Sequence, residues 1–118
     1  MKVILDTNFL IDFLRFNVGL NELAGSELFT LDTNIVEIER LAERKTAESK
    51  LANLALQFLA TNNIKILKSM ERETDNSLVT YSKEGYAIAT HDKVLKGKLK
   101  KAGARIIYIR QKRYLVVE

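Results

Sequence analysis

The sequence predicts an α/β fold with a mainly parallel sheet and helices on both faces. Short apolar runs alternate with helix-period segments along all 118 residues, and the connections between them are short. A composition of 47% hydrophobic and 29% charged residues suits one globular domain over residues 1–118, large enough for a single core.

Each element has its own signal. Val3-Ile4-Leu5 reads as a buried strand over about 2–6, and the segment 8–15 as a helix. "ELFTLD" (27–32) is a second strand. Ile35, Ile38, Leu41 and Ala42 recur at helical spacing in 34–45, and Leu51, Leu54, Ala55, Phe58 and Leu59 do so in 47–62, which Asn62-Asn63 ends. "IKIL" (64–67) is a third strand, suited to a sheet edge. A helix over 75–84 closes at Gly85, "YAIAT" (86–90) is a strand, and a helix over 92–102 stops at Gly103. "RIIYI" (105–109) and a short "YLVVE" (114–118) complete the strands. Proline is absent, so helix ends rest on Gly, Asn, Thr and Asp signals alone.

Composition removes several chemistries. There is no cysteine, hence no disulfide framework, zinc-thiolate site or thiol nucleophile. No apolar run approaches membrane-spanning length, and the N-terminus shows no leader pattern, so the expectation is a soluble, cytoplasmic protein with no membrane partner. Charge is divided unevenly. Residues 1–59 carry six Lys/Arg against nine Asp/Glu, and residues 60–118 carry thirteen against six. Residues 93–113 hold nine basic side chains and no acidic one, a pattern that suits either a polyanionic partner or a solvated basic face.

Ligands of an open parallel sheet bind beyond the carboxyl ends of its strands. Four carboxylates fall at such junctions: Asp6, Glu37, Asp75 and Asp92. Each also reads as a helix-start residue. Asp6, Asp75 and Asp92 suit N-caps, and Glu37 follows Asn34 at capping-box spacing in the expected first turn of its helix. Asp12, in mid-helix, and Asp32, at a turn, read as structural. Carboxylates gathered without lysines repel one another, and a divalent cation relieves that repulsion. An all-oxygen donor set suits Mg²⁺ or Mn²⁺. An acidic centre beside a basic flank describes a metal-dependent nuclease.

The chain also resembles the PIN domain family. "VILDTNFLID" is similar to its first motif, "NIVEIERLAER" to its second, and "TDNSLVTYSKEGYAIATHDKVLKGKLKKAGARIIYIR" to its third and fourth. The resemblance implies a three-layer α/β/α sandwich and a Mg²⁺- or Mn²⁺-dependent endoribonuclease. Asp6, Glu37, Asp75 and Asp92 would be its catalytic, metal-holding carboxylates, and the products would carry a 3′-hydroxyl and a 5′-phosphate. It selects Glu37 over Glu39, which spacing alone does not, and assigns Asn8 and Thr90 to hydrogen-bond the acidic residues. Two positions depart from the pattern: Asn76 stands where a second acid is common, and His91 where Asn is common. A lone histidine is more often structural; in a direct role His91 would contact phosphate or bind metal, and otherwise it replaces the amide in hydrogen bonding.

Lys93, Lys96, Lys98 and Lys100, with the basic residues onward to Arg113, are candidates for RNA backbone contacts. Two roles within the family compete: a VapC-type toxin silenced by an antitoxin, and an RNA-processing nuclease working with ribosome-assembly partners. A homodimer is expected through the edge strand and the aliphatic helix 47–62. From another class, a non-catalytic RNA- or protein-binding PIN-like module stays open because of Asn76. A receiver-like signalling domain lacks its phosphoacceptor, since "NIKILKSMERET" offers no aspartate after the third strand.

Overall fold

The structure is a computed structural model that describes residues 1–118, the side chain of Leu20 excepted. In chain order it runs β1 (Lys2–Leu5), α1 (Thr7–Arg15), a 3₁₀ turn (Leu20–Leu23), β2 (Glu27–Leu31), α2 (Asp32–Glu43) and α3 (Ala47–Thr61). Then follow β3 (Lys65–Leu67), α4 (Thr74–Lys83), β4 (Ala87–Ala89), α5 (Lys93–Lys101), β5 (Ile106–Arg110) and β6 (Tyr114–Val117). The six strands form one sheet in the order β3-β2-β1-β4-β5-β6, parallel except for the terminal β5–β6 pair.

The period-2 alternation of the strands divides the interior into two layers. Val3 and Leu5 of β1 and the small Ala87 and Ala89 of β4 face one side, where Phe9, Leu10 and Phe13 of α1 pack with Ile38 of α2 and Ala52, Ala55 and Leu59 of α3. Ile4 and Ile88 face the other side, against Leu78 and Tyr81 of α4 and Leu95 and Leu99 of α5. The result is the expected three-layer α/β/α arrangement. Among the described residues, no helix is long and apolar enough to cross a membrane.

The boundaries move slightly from those the sequence suggests. α2 begins at Asp32, directly after β2, because the Asn34 side chain accepts the Leu31 N–H (3.2 Å) and Asp32 accepts the Thr33 N–H (2.8 Å). Glu37 therefore lies in the second turn, not the first, and Asn34 caps the backbone before it instead of forming a box with it. α4 begins at Thr74 with Glu73 as its N-cap, so Asp75 is within the first turn. The sequence assigns nothing to 16–26, where the 3₁₀ turn sits.

The chain leaves β1 toward β2 and β3 on one side and returns through β4 to the other, so the order reverses between β1 and β4. Their register places Leu5 beside Ala89, and hence Asp6 next to Thr90, at the carboxyl edge of this switch point. Ile38 is fully buried beneath that edge, whereas Leu54 is 50% exposed. Ile38→Ala is expected to cost ~2–4 kcal/mol in chemical denaturation, and Leu54→Ala no more than ~0.5 kcal/mol.

Candidate active site

Asp6 is buried at the end of β1. It caps α1 with extended backbone (φ −78°, ψ 156°), and its Oδ1 accepts the Thr7 N–H at 3.0 Å. That oxygen also accepts from Asn34 Nδ2 at 2.9 Å, and Oδ2 accepts from the Thr90 hydroxyl at 2.8 Å. Capping and facing a site are thus both true of this residue. The Thr90 oxygen in turn accepts the Asp92 N–H at 3.2 Å, which links the ends of β1 and β4. Asp92 caps α5 by accepting the Leu95 N–H at 3.0 Å.

The four carboxylates line one open cavity of about 690 Å³ at the switch point. Thr7, Asn8, Ile11, Asp12, Arg15, Leu41, Glu48, Glu73 and Thr74 complete its wall. Glu37 reaches it and Glu39 does not line it. Asn76 is exposed on α4 and outside the lining, so the departure from the motif falls away from the cavity. Among the described residues, Asp6, Glu37, Asp75 and Asp92 form no ion pair.

Three of these groups are less acidic than usual. Burial raises the Asp6 pKa above 3.8, its three hydrogen bonds oppose that, and the Asp75 charge adds to it. Glu37 is raised above 4.5 by desolvation against the cavity wall, then by the charges of Asp6 and Asp75. Asp75 is raised by desolvation, then by Asp92, with Lys98 opposing. The carboxylates therefore sense one another across the cavity, which is the electrostatic condition that favours a cation.

The donor set suits a hard divalent cation in kind. Among the described residues, however, no three acidic or histidine side chains stand close enough to hold one ion jointly. Mg²⁺ commonly takes one or two carboxylates and completes its shell with water. Asp6 and Asp92, joined through Thr90, are the pair best fixed for that role.

His91 is committed elsewhere. Its Nδ1 lies 2.7 Å from the Asp12 carboxylate, and its Nε2 accepts the Ile109 N–H at 3.0 Å. These bonds assign the ring proton to Nδ1 and leave neither nitrogen for a metal or a phosphate. Its own N–H donates to Asn8 Oδ1 at 3.3 Å. Asp12 also pairs with Arg15 at 2.7 Å, and Arg15 with Glu48 at 2.9 Å, so a polar chain ties β5, the β4–α5 loop, α1 and α3 together beside the cavity. Asp32 does not line the cavity; it accepts from Ser69 and Thr33, and its carboxyl is held below 3.8 chiefly by the Ser69 hydroxyl.

Sequence reasoning missed Asn34 as a site residue. It is fully buried, and its amide donates to both Asp6 and Thr7 Oγ1 (3.1 Å) while its carbonyl accepts from Leu31. Of the candidate lysines, Lys93 and Lys98 are exposed, and Lys98 is near enough to Asp75 to influence it. Lys96 lies over the Tyr108 ring at 4.3 Å, and Lys100 is 4.0 Å from Glu118.

A doubly wound sheet with unpaired carboxylates gathered at its switch point defines an α/β protein with an acidic cavity where such sheets bind their ligands. The chain matches the family model described as a PIN like domain over residues 3–112, and it belongs to that family. PIN domains are generally nucleases. A search of curated proteins returns no match.

The raised pKa values fix the sign of a pH effect. A carboxyl raised by burial disfavours the charged fold, so the folded chain holds more protons than the unfolded one just above 3.8 for Asp6. Asp6→Asn keeps the oxygen used by Thr7 and Asn34 and removes the buried charge. In metal-free buffer the variant is expected to melt above the wild type at pH 7, with the gap closing as pH falls toward the ordinary carboxylate range. A variant that melts lower at pH 7, or a gap independent of pH, would contradict burial of an unpaired Asp6 charge.

Proposed function

We propose that the chain is a Mg²⁺- or Mn²⁺-dependent endoribonuclease that hydrolyses RNA phosphodiester bonds at the carboxylate cavity. The observation that supports this most is the Asp6 carboxylate: buried, without an ion pair among the described residues, and hydrogen-bonded only through neutral donors. The surrounding donors need an acceptor there but not a charge, and an amide side chain would satisfy Thr7 and Asn34 without burying one.

Asp6 and Asp92 would hold the cation, with Glu37 and Asp75 facing it from α2 and α4, directly or through water. When bound, the cation supplies charge neutralisation at the phosphate and lowers the pKa of water for attack. Asn34 and Thr90 orient the two oxygens of Asp6 and stabilise its ionised form against burial. Thr90 also ties Asp92 to Asp6, so the two carboxylates keep a fixed relation. Glu37 and Asp75 line the cavity and would accept a proton from the attacking water. Ile11 and Leu41 form the apolar part of the wall on the α1–α2 side.

Cleavage of single-stranded RNA in Mn²⁺, followed by gel electrophoresis, tests this reading against a non-catalytic binding module. Chelation with EDTA is expected to abolish cleavage, and Asp6→Asn and Asp92→Asn to lower its rate by at least ~100-fold. Equal Mn²⁺-dependent cleavage by wild type and Asp6→Asn, purified in parallel, would sink the nuclease reading.

A further inference from the structure

The cavity wall carries seven acidic side chains and, among the described residues, one cation, Arg15, already bridged to Asp12 and Glu48. A polyanionic strand drawn to that wall needs positive charge just outside it. On α5, Lys93 and Lys98 are exposed and supply part of this, whereas Lys96 is laid over Tyr108 and Lys100 stands beside Glu118.

The β5–β6 hairpin adds a second basic cluster at the same edge. β5 runs parallel to β4, so its carboxyl end lies at the same sheet edge as Asp92, and Ile109 contacts His91 there. Beyond it, Arg110, Lys112 and Arg113 are exposed, and among the described residues they form no ion pair. Lys112 Nζ sits 5.5 Å from the Phe16 ring centroid, which brings the hairpin tip to the end of α1, one residue from Arg15 of the cavity wall.

The turn itself is built against backbone preference. Arg113 N–H closes it on Arg110 O at 3.1 Å, and both central residues, Gln111 (φ 53°) and Lys112 (φ 56°), are left-handed without being glycine. Asn-Gly is the pair that such a turn favours. Strain of this kind concentrates where a side chain is used. Tyr114, partnered with Arg110 across the ladder, is 38% exposed and offers a ring face for a base.

The geometry points to the β5–β6 hairpin as the element that captures single-stranded RNA for the acidic cavity. Arg110, Lys112 and Arg113 contact successive phosphates, and Tyr114 stacks on a base. The strand then passes the end of α1 at Arg15 and Phe16 into the cavity. This rests on the ribonuclease reading and adds the path by which the substrate arrives.

Binding of a fluorescein-labelled 12-nucleotide single-stranded RNA, read by anisotropy in EDTA so that no cleavage occurs, tests it. The variant Arg110→Ser/Lys112→Ser/Arg113→Ser is expected to bind at least ~10-fold more weakly, and its slope of log K against log salt to fall by about 2. Lys96→Ala/Lys100→Ala is expected to stay within about twofold of wild type. Gln111→Asn/Lys112→Gly keeps the turn in its preferred residues while removing one charge. It is expected to melt no lower than wild type and still to bind more weakly, which separates capture from hairpin unfolding. A triple variant that binds within about twofold of wild type, a wild type that does not bind the RNA, or a larger loss from the α5 pair would overturn the proposal. Polyglutamate binding as tightly as the RNA would overturn RNA as the occupant. Hairpin-dependent binding without Mn²⁺-dependent cleavage removes the nuclease reading and leaves the hairpin. Cleavage by wild type and triple variant alike removes the hairpin alone.

Discussion

One buried carboxylate organises the site end of this molecule. Asp6 stands at the end of a central strand whose three preceding residues are almost wholly excluded from solvent, in a region with hydrophobic layers on both faces. An ionised group in such a place costs several kcal/mol unless it is paired or fully hydrogen-bonded. Here three neutral donors reach it from three different elements: the first residue of α1, the first turn of α2 and the end of β4. Two of the donors have a second task. Asn34 accepts the last N–H of β2, and Thr90 accepts from Asp92, so the solvation of Asp6 and the closure of the switch point are the same set of bonds.

The surrounding acids make the arrangement costlier. Asp75 and Glu37 sense Asp6 and one another, and Asp75 senses Asp92, across a cavity whose one basic side chain among the described residues is already shared between Asp12 and Glu48. A fold tolerates this when an external cation supplies the missing charge. The Asp12–His91 and Arg15–Glu48 bonds carry a different burden, holding the β4–α5 loop and α3 against α1.

Much of this was legible in the residues. Short apolar runs marked the strands, and their alternation with helix-period segments pointed to a mainly parallel sheet with helices on both faces. The four junction acids reach one cavity because parallel strands deliver their carboxyl ends to the same edge. What sequence could not supply were contacts between distant positions. Asn34 looked like half of a capping box, but its amide turns 28 residues back in the chain to Asp6. Asp12 looked like an ordinary mid-helix acid, yet it meets a histidine 79 residues away. His91 read as a structural residue more readily than as a direct participant, but neither of its partners, Asp12 and the Ile109 N–H, was visible in the sequence. Local patterns report propensity and burial, whereas these bonds depend on which strands end side by side.

The central claim is that the cavity holds a divalent cation through the carboxylate at the end of β1. Anomalous scattering from crystals soaked in Mn²⁺ addresses it without reference to substrate or rate. The expected result is a manganese peak in contact with Asp6 and Asp92, with water filling the rest of its shell. A peak seated only outside the cavity, or one inside it that touches neither Asp6 nor Asp92, would contradict the claim.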